Sequence, residues 1–343
     1  MRYKTMIKGI NYNAGIEYDS SSNYGAKINL PALKKDLAMI KELNCNAIRM
    51  YGSHIDKLML YSEEALKQGF EVWISPRLID ADAKQTALFA IEAAKKAEAL
   101  RKRYKKVVFI AGNELFLDSR AVFDAPKIFN RGEFLQKYIK CTFAIKTKPN
   151  AEMKKFLSST DKALNNLLAK LSRELRKHFH GKITYASLSW EKPNWKLFDM
   201  LSVNLYKDQW NSAYYAEELR KLKSYKKPIA ITEFGVCAYK GASKLGGSAH
   251  DIVIYPDKII KEGIIRDEQE QADYIKELLE LYAKEKIEAA FVFDFKEEWK
   301  IYSDDPRKDL DLSSYGIVKV MPDGKIVPKK ALYVIKKLYS ISS

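Results

Sequence analysis

Cysteine and histidine are scarce in this sequence, and their scarcity removes whole classes of chemistry. Three cysteines, Cys45, Cys141 and Cys237, form an odd set without paired spacing, so neither a disulfide framework nor a metal knuckle is indicated. Cys45 and Cys237, near predicted strands, read as packing residues. The four histidines, His54, His178, His180 and His250, all fall in predicted helices or loops. His178 and His180 follow a Lys/Arg-rich helix, where a C-terminal capping role is favoured over a metal pair. No metal and no cofactor is expected. No run approaches the roughly 20 apolar residues of a membrane span. The opening Met1-Arg2-Tyr3-Lys4-Thr5-Met6 lacks the apolar core of a signal peptide, so a cytoplasmic location with no membrane partner is expected. Neither GxGxxG nor GxxxxGK[ST] follows any apolar run, which removes the main support for an open nucleotide-binding sheet.

What the sequence does hold is positive charge and a strand-then-helix rhythm. The net charge of +16 suits an acidic partner in principle. The lysines are instead spread as doublets, such as Lys34-Lys35, Lys105-Lys106, Lys226-Lys227 and Lys336-Lys337, over predicted helices and their ends, so a solvated surface is the better reading and no nucleic-acid partner is expected. Eight short apolar runs, about 5–11, 46–51, 70–75, 107–113, 183–188, 199–205, 228–233 and 288–294, read as strands, with boundaries good to roughly 2–4 residues. Segments of helical period lie between most of them, at Leu30 to Leu43, Ile55 to Lys67, Lys84 to Tyr104, Ala151 to Phe179, Tyr214 to Tyr225 and Asp267 to Lys286, with a last one at Lys329 to Tyr339. Eight such units in 343 residues predict one α/β domain spanning residues 1–343, a closed (β/α)8 TIM barrel. Long loops are expected after strand four (Leu115 to Asn150), strand seven (Phe234 to Arg266) and strand eight (Phe295 to Lys325), on the side where barrel enzymes build their sites. The glycines of Gly241-Ala242-Ser243-Lys244-Leu245-Gly246-Gly247 permit either a lid or a plain surface excursion.

Two glutamates end apolar runs: Glu114 after Val107-Val108-Phe109-Ile110-Ala111-Gly112-Asn113, and Glu233 in Pro228-Ile229-Ala230-Ile231-Thr232-Glu233-Phe234-Gly235. In a parallel barrel both lie at carboxyl ends of strands, where a carboxylate loses water and needs a partner or a chemical task. A single such glutamate is commonly a salt-bridge partner; two of them match the pair of carboxyl groups that glycoside hydrolysis requires. Asn113-Glu114 on strand four with Thr232-Glu233-Phe234-Gly235 on strand seven resembles the retaining glycoside hydrolases of clan A. Ile48-Arg49-Met50-Tyr51-Gly52 is similar to that clan's strand-two arginine segment, and Asn204-Leu205-Tyr206 to its strand-six segment. Phe293-Asp294-Phe295-Lys296-Glu297-Glu298-Trp299-Lys300 resembles the strand-eight segment of endo-β-1,3-glucanase-like members.

The resemblance implies roles. Glu233 is the implied nucleophile, with Arg49 keeping it ionised and Tyr206 orienting it; Glu114 is the implied acid/base, its pKa raised in a less polar setting. Asn113 is implied at the sugar 2-hydroxyl, and Trp299 as a platform for a pyranose face, a task that Trp190 and Trp195 also suit. The expected function is hydrolysis of a β-linked glycoside or oligosaccharide by double displacement, with a carbohydrate as the partner molecule. Three alternatives stay open: a transglycosylase using the same residues, a non-catalytic sugar- or polyanion-binding barrel, and an enzyme of a phosphorylated metabolite held near Gly246-Gly247. The oligomeric state is not encoded in any pattern found.

Overall fold

The computed structural model describes residues 6–17, 25–124, 128–134 and 151–341. Eight parallel strands close a barrel: β1 (Ile7–Asn13), β2 (Ala47–Gly52), β3 (Glu71–Pro76), β4 (Val107–Asn113), β5 (Lys182–Leu188), β6 (Leu201–Asn204), β7 (Ile229–Phe234) and β8 (Ala289–Val292). Each pairs with its chain neighbour, and β8 returns to β1 in the register Ile7 with Ala289 through Ile10 with Val292. The predicted (β/α)8 class and all eight strands are therefore present, each within a few residues of its sequence boundary.

Alternation along the strands divides the interior in two. Inside the barrel, Ala47, Trp73, Ile110, Met200 and Phe291 form a compact apolar plug. Trp73 and Phe291 lie 4.7 Å apart between ring centroids, and Gly9 is what admits the second ring, because a Cβ there would fall 2.3 Å from it. Outside, Ile48, Met50, Ile74, Phe109 and Ile231 pack against the helices. These are α1 (Leu30–Glu42), α2 (Ile55–Lys67), α3 (Ala83–Tyr104), α4 (Ala151–Arg176), α5 (Tyr215–Lys221), α6 (Glu268–Lys284) and α7 (Lys330–Ser340). Local chemistry starts several of them: Asn29 Oδ1 accepts from Ala32 N at the head of α1, and Asp82 with Gln85 forms a reciprocal cap on α3.

One unit lacks a helix, in keeping with the absence of a helical segment between its strands in the sequence. Between β5 and β6 the chain makes only a 3₁₀ turn, Trp195–Leu197, in place of a helix. Trp195 is 4% exposed and packs against Tyr185 and Phe198 in the layer outside the barrel, so it fills core and is no sugar platform. Cys45 and Cys237 are buried, as expected of packing residues; Cys141 and much of the loop after β4 lie outside the described residues. The other two long loops carry structure of their own. The β7 loop contains a helical turn, Ala242–Leu245, and a hairpin of Val253–Ile254 with Ile259–Ile260; the β8 loop contains a hairpin of Val318–Val320 with Ile326–Pro328. Among the described residues no helix is long and apolar enough to cross a membrane.

Candidate active site

At the carboxyl ends of the strands the apolar plug gives way to a polar layer. Arg49, on β2, is wholly buried and its guanidinium fork spans the barrel. Nη1 donates to Glu233 Oε1 at 2.6 Å and to Asn11 Oδ1 at 2.9 Å, while Nη2 donates to Asn113 Oδ1 at 2.7 Å and to Ser75 Oγ at 3.2 Å. Asn11 is itself fixed, its amide donating to the Thr232 carbonyl at 3.0 Å. A planar, five-donor cation is suited to such divided contacts, which a lysine's point charge would not reproduce.

Glu233 lies within β7 and is 5% exposed. Its second oxygen, Oε2, accepts from the Tyr206 hydroxyl at 3.0 Å. Burial, and next the charge of Glu233, push the Tyr206 phenol well above its ordinary range, so Tyr206 keeps its proton and remains a donor. The glycine-rich stretch of the β7 loop supports this tyrosine. A Cβ on Gly247 would stand 3.1 Å from the Tyr206 ring, and one on Gly246, at φ +53°, would stand 2.5 Å from the Lys207 carbonyl oxygen. Both glycines thus serve close approach of one loop to another. Glu270 ties down the start of the same stretch, accepting from Gly241 N at 2.6 Å and Ser243 N at 2.9 Å.

Glu114 follows the last residue of β4 with φ +41° and ψ +52°, a left-handed conformation that is uncommon for a residue with a Cβ. Its Oε1 accepts from Asn204 Nδ2 at 2.8 Å, and the same amide donates to Asn113 Oδ1 at 3.1 Å. Thr232 Oγ1 holds Asn204 from the other side at 2.8 Å. The two glutamates therefore belong to one connected chain, Glu233 to Arg49 to Asn113 to Asn204 to Glu114. The Glu114 side chain keeps partial contact with solvent, yet removal of most of its water, followed by the nearby charge of Glu233, raises its pKa to about 8; Arg77 and the Asn204 amide act in the opposite sense. Arg77 is occupied by a buried two-point pairing with Asp118, at 2.9 and 2.8 Å. Asn113 leaves Nδ2 without a partner among the described residues.

Rings line the rest of this end. Tyr51 and Phe293 lie 5.9 Å apart, Phe293 and Tyr315 5.5 Å, and Tyr315 and Tyr206 6.0 Å. The acids of the strand-eight segment are engaged elsewhere. Asp294 is fully buried, accepting from the Tyr51 hydroxyl at 2.6 Å and from Phe295 N at 2.6 Å, and burial raises its pKa well above the carboxylate range. Glu297 holds Tyr315 N at 2.7 Å.

Of the residues singled out in the sequence, Glu114, Glu233, Arg49, Asn113 and Tyr206 meet in one network. Trp299 sits in the turn beyond β8, partly exposed, and shares no ring contact or hydrogen bond with that network among the described residues. Trp190 packs its edge on Phe116, 4.7 Å between centroids, beside the turn that follows Glu114. His180 faces Glu98 of α3, Nδ1 to Oε1 3.4 Å, rather than the carbonyls at the end of α4. Asn204, Asn11 and Arg77 were not assigned roles from sequence. Asn204 carries the same signal as Asn113, a polar residue closing an apolar strand; Asn11 and Arg77 become visible only once the barrel is closed. Among the described residues no three His, Cys, Asp or Glu side chains gather as a metal site.

No family model matches the sequence, and no curated protein matches it. Solved structures do match its fold. Two structures of a GH113 β-1,4-mannanase are each 17% identical to the chain, with 99% of both chains covered and TM-scores of 0.57 and 0.59. A β-glucuronidase from Bifidobacterium dentium, in complex with coumarin-3-O-glucuronide, is 14% identical with a TM-score of 0.59; the match takes in 98% of this chain and 46% of that one. A Bacteroides uniformis β-glucuronidase 2, covalently bound to a cyclophellitol-6-carboxylate aziridine, is 16% identical with a TM-score of 0.59, covering 98% and 35%. At these identities the likeness is one of fold: a closed, eight-stranded parallel barrel shared across nearly the whole chain.

Proposed function

We propose that this chain is a retaining glycoside hydrolase of the clan A type, acting on a β-linked glycoside or oligosaccharide. The observation that carries the reading is the single hydrogen-bonded network joining Glu233 to Glu114 through Arg49, Asn113 and Asn204. The barrel matches, which include a β-1,4-mannanase and β-glucuronidases, agree with it and suggest β-mannosides and β-glucuronides as first substrates. None of the structures named here is an endo-β-1,3-glucanase, and that finer likeness rests on the strand-eight segment alone.

The chemistry follows from the surroundings of each acid. Glu233, paired with Arg49 and oriented by Tyr206, attacks the anomeric carbon and forms a glycosyl-enzyme ester. Glu114, protonated at neutral pH, gives its proton to the leaving oxygen. It then removes a proton from the water that cleaves the ester. Asn113, with its free Nδ2, donates to a hydroxyl beside the reacting carbon, a contact that strengthens as charge develops there.

The test is the anomeric configuration of the first-formed product, followed by proton NMR over a panel of aryl β-mannosides, β-glucosides and β-glucuronides. Initial release of the β-sugar is expected. Initial release of the α-sugar would indicate inversion and a carboxyl separation nearer 6.5–9.5 Å than about 5–5.5 Å. No turnover of any member by folded protein would overturn the glycosidase reading in favour of a sugar-binding barrel. An added sugar acceptor in the same assay separates hydrolysis from glycosyl transfer.

A further inference from the structure

A second carboxylate lies behind Glu114 and takes no part in the network above. Glu191, on the loop after β5, is 7% exposed, and no ion pair neutralises it among the described residues. Its oxygens instead accept from three donors: Phe116 N to Oε1 at 3.1 Å, the Tyr185 hydroxyl to Oε2 at 2.8 Å and Leu188 N to Oε2 at 2.8 Å. The Tyr185 hydroxyl in turn accepts from Leu115 N at 2.9 Å.

Those donors show what the pair holds. Leu115 and Phe116 open the helical turn Leu115–Asp118, of which Glu114 is the N-cap. An N-cap side chain ordinarily satisfies the first free N–H groups itself. Glu114 does not; its carboxyl reaches Asn204, and the free N–H groups are met by Tyr185 and Glu191 from across the β4 and β5 edge. Glu114 N is fixed to the same strand, donating to the Ala186 carbonyl at 2.8 Å, and Trp190, next to Glu191, grips Phe116. A left-handed backbone at a non-glycine residue persists only where its surroundings over-determine it, and this is what the β5 loop does at Glu114.

We infer that Glu191, acting directly and through Tyr185, is a positioning residue that caps the turn after Glu114 in place of Glu114 itself, leaving that carboxyl free to act as the acid/base. This rests on the function proposed above only in its last clause. An ionised carboxylate is acceptor-only; burial raises the Glu191 pKa to about 7, and the bonds from Tyr185, Phe116 N and Leu188 N act in the opposite sense. A glutamine would present an amide N–H to one side of a site furnished with donors on both.

The test compares Glu191→Gln and Tyr185→Phe with the parent chain in two readouts. The first needs no substrate: the ¹³C-carboxyl titration of Glu114 in glutamate-labelled protein, assigned by its loss in Glu114→Gln. The second is kcat/KM on a phenyl and a 2,4-dinitrophenyl β-glycoside of the same sugar. In both variants the Glu114 titration should move down toward the ordinary carboxylate range as the turn loosens and water enters. The phenyl glycoside should lose about 10-fold to 100-fold, the scale of a misplaced catalytic group. The dinitrophenyl glycoside, whose leaving group needs no proton, should change by less than about threefold. An unmoved titration in folded variants overturns the proposal. A moved titration without a leaving-group difference upholds the capping role and removes the acid role from Glu114, so the two readings fail separately. Should Glu191→Gln fail to fold, Tyr185→Phe, which preserves ring volume, carries the test.

Discussion

The two glutamates stand at the carboxyl ends of β4 and β7 of one barrel, yet their surroundings differ in kind. Glu233 is met by a full positive charge on one oxygen and a phenol on the other. Glu114 is met by a single side-chain amide, on a partly exposed carboxyl whose remaining surroundings are poor in water. Glu233 has a cation at 2.6 Å; at Glu114, desolvation beside a like charge favours the carboxylic acid. On the mechanism proposed above, neighbours more than residue type would divide the nucleophile from the acid, as in other two-carboxylate sites.

Substitutions can break that contrast, and the largest effect is expected at Glu114. Glu114→Gln should lower kcat/KM on phenyl glycosides by about 10²–10⁴-fold, the usual span for a general acid. In the parent chain the acid must be protonated, so activity should fall as pH rises through about 8; a pH profile of the variant should lack that limb. Stability follows the same sign. The folded chain binds this proton more tightly than the unfolded chain, so the associated stability is present below the ordinary carboxylate pKa and is lost as pH rises toward about 8. Thermal unfolding above pH 8 should therefore find Glu114→Gln more stable than its parent.

Arg49→Lys keeps a charge beside Glu233 but not the fork that also holds Asn113. Activity should drop by about 100-fold, comparable with removal of one preorganised donor. A variant with full activity would show that charge alone suffices. Tyr206→Phe removes one hydrogen bond to a charged group, worth about 1.5–3 kcal/mol, so kcat should fall by about 10-fold to 150-fold and Tm should drop by a few degrees. The smallest effect belongs to Gly247→Ala. Its methyl would press on the Tyr206 ring at 3.1 Å, and a loss of several-fold in kcat, additive with nothing in Tyr206→Phe, is the expected result of acting through the same residue.

The sequence showed the eight strands and five members of the network for one reason: polar residues that close apolar runs stand out against them, as Asn113, Glu114, Glu233 and Tyr206 do. Arg49 stands out inside its strand for the same reason. The remainder depends on closure of the ring. Glu191 sits 77 positions beyond Glu114 in the chain, and no local pattern ties it to Phe116. Trp195 has the composition of a sugar platform and is core because the 3₁₀ turn between β5 and β6 packs it against Tyr185 and Phe198. Gly246 and Gly247 signal flexibility when read alone; against Lys207 and Tyr206 they are requirements of packing.

The central claim is the division of roles between Glu233 and Glu114, and azide tests it most directly. Glu233→Ala and Glu114→Ala are each given azide and a dinitrophenyl β-glycoside of a sugar the parent chain hydrolyses, and the anomeric configuration of the glycosyl azide is read by NMR. The account predicts the α-azide from Glu233→Ala, where azide replaces the nucleophile, and the β-azide from Glu114→Ala, where it intercepts the glycosyl-enzyme. The reverse assignment, or the same anomer from both variants, would contradict it.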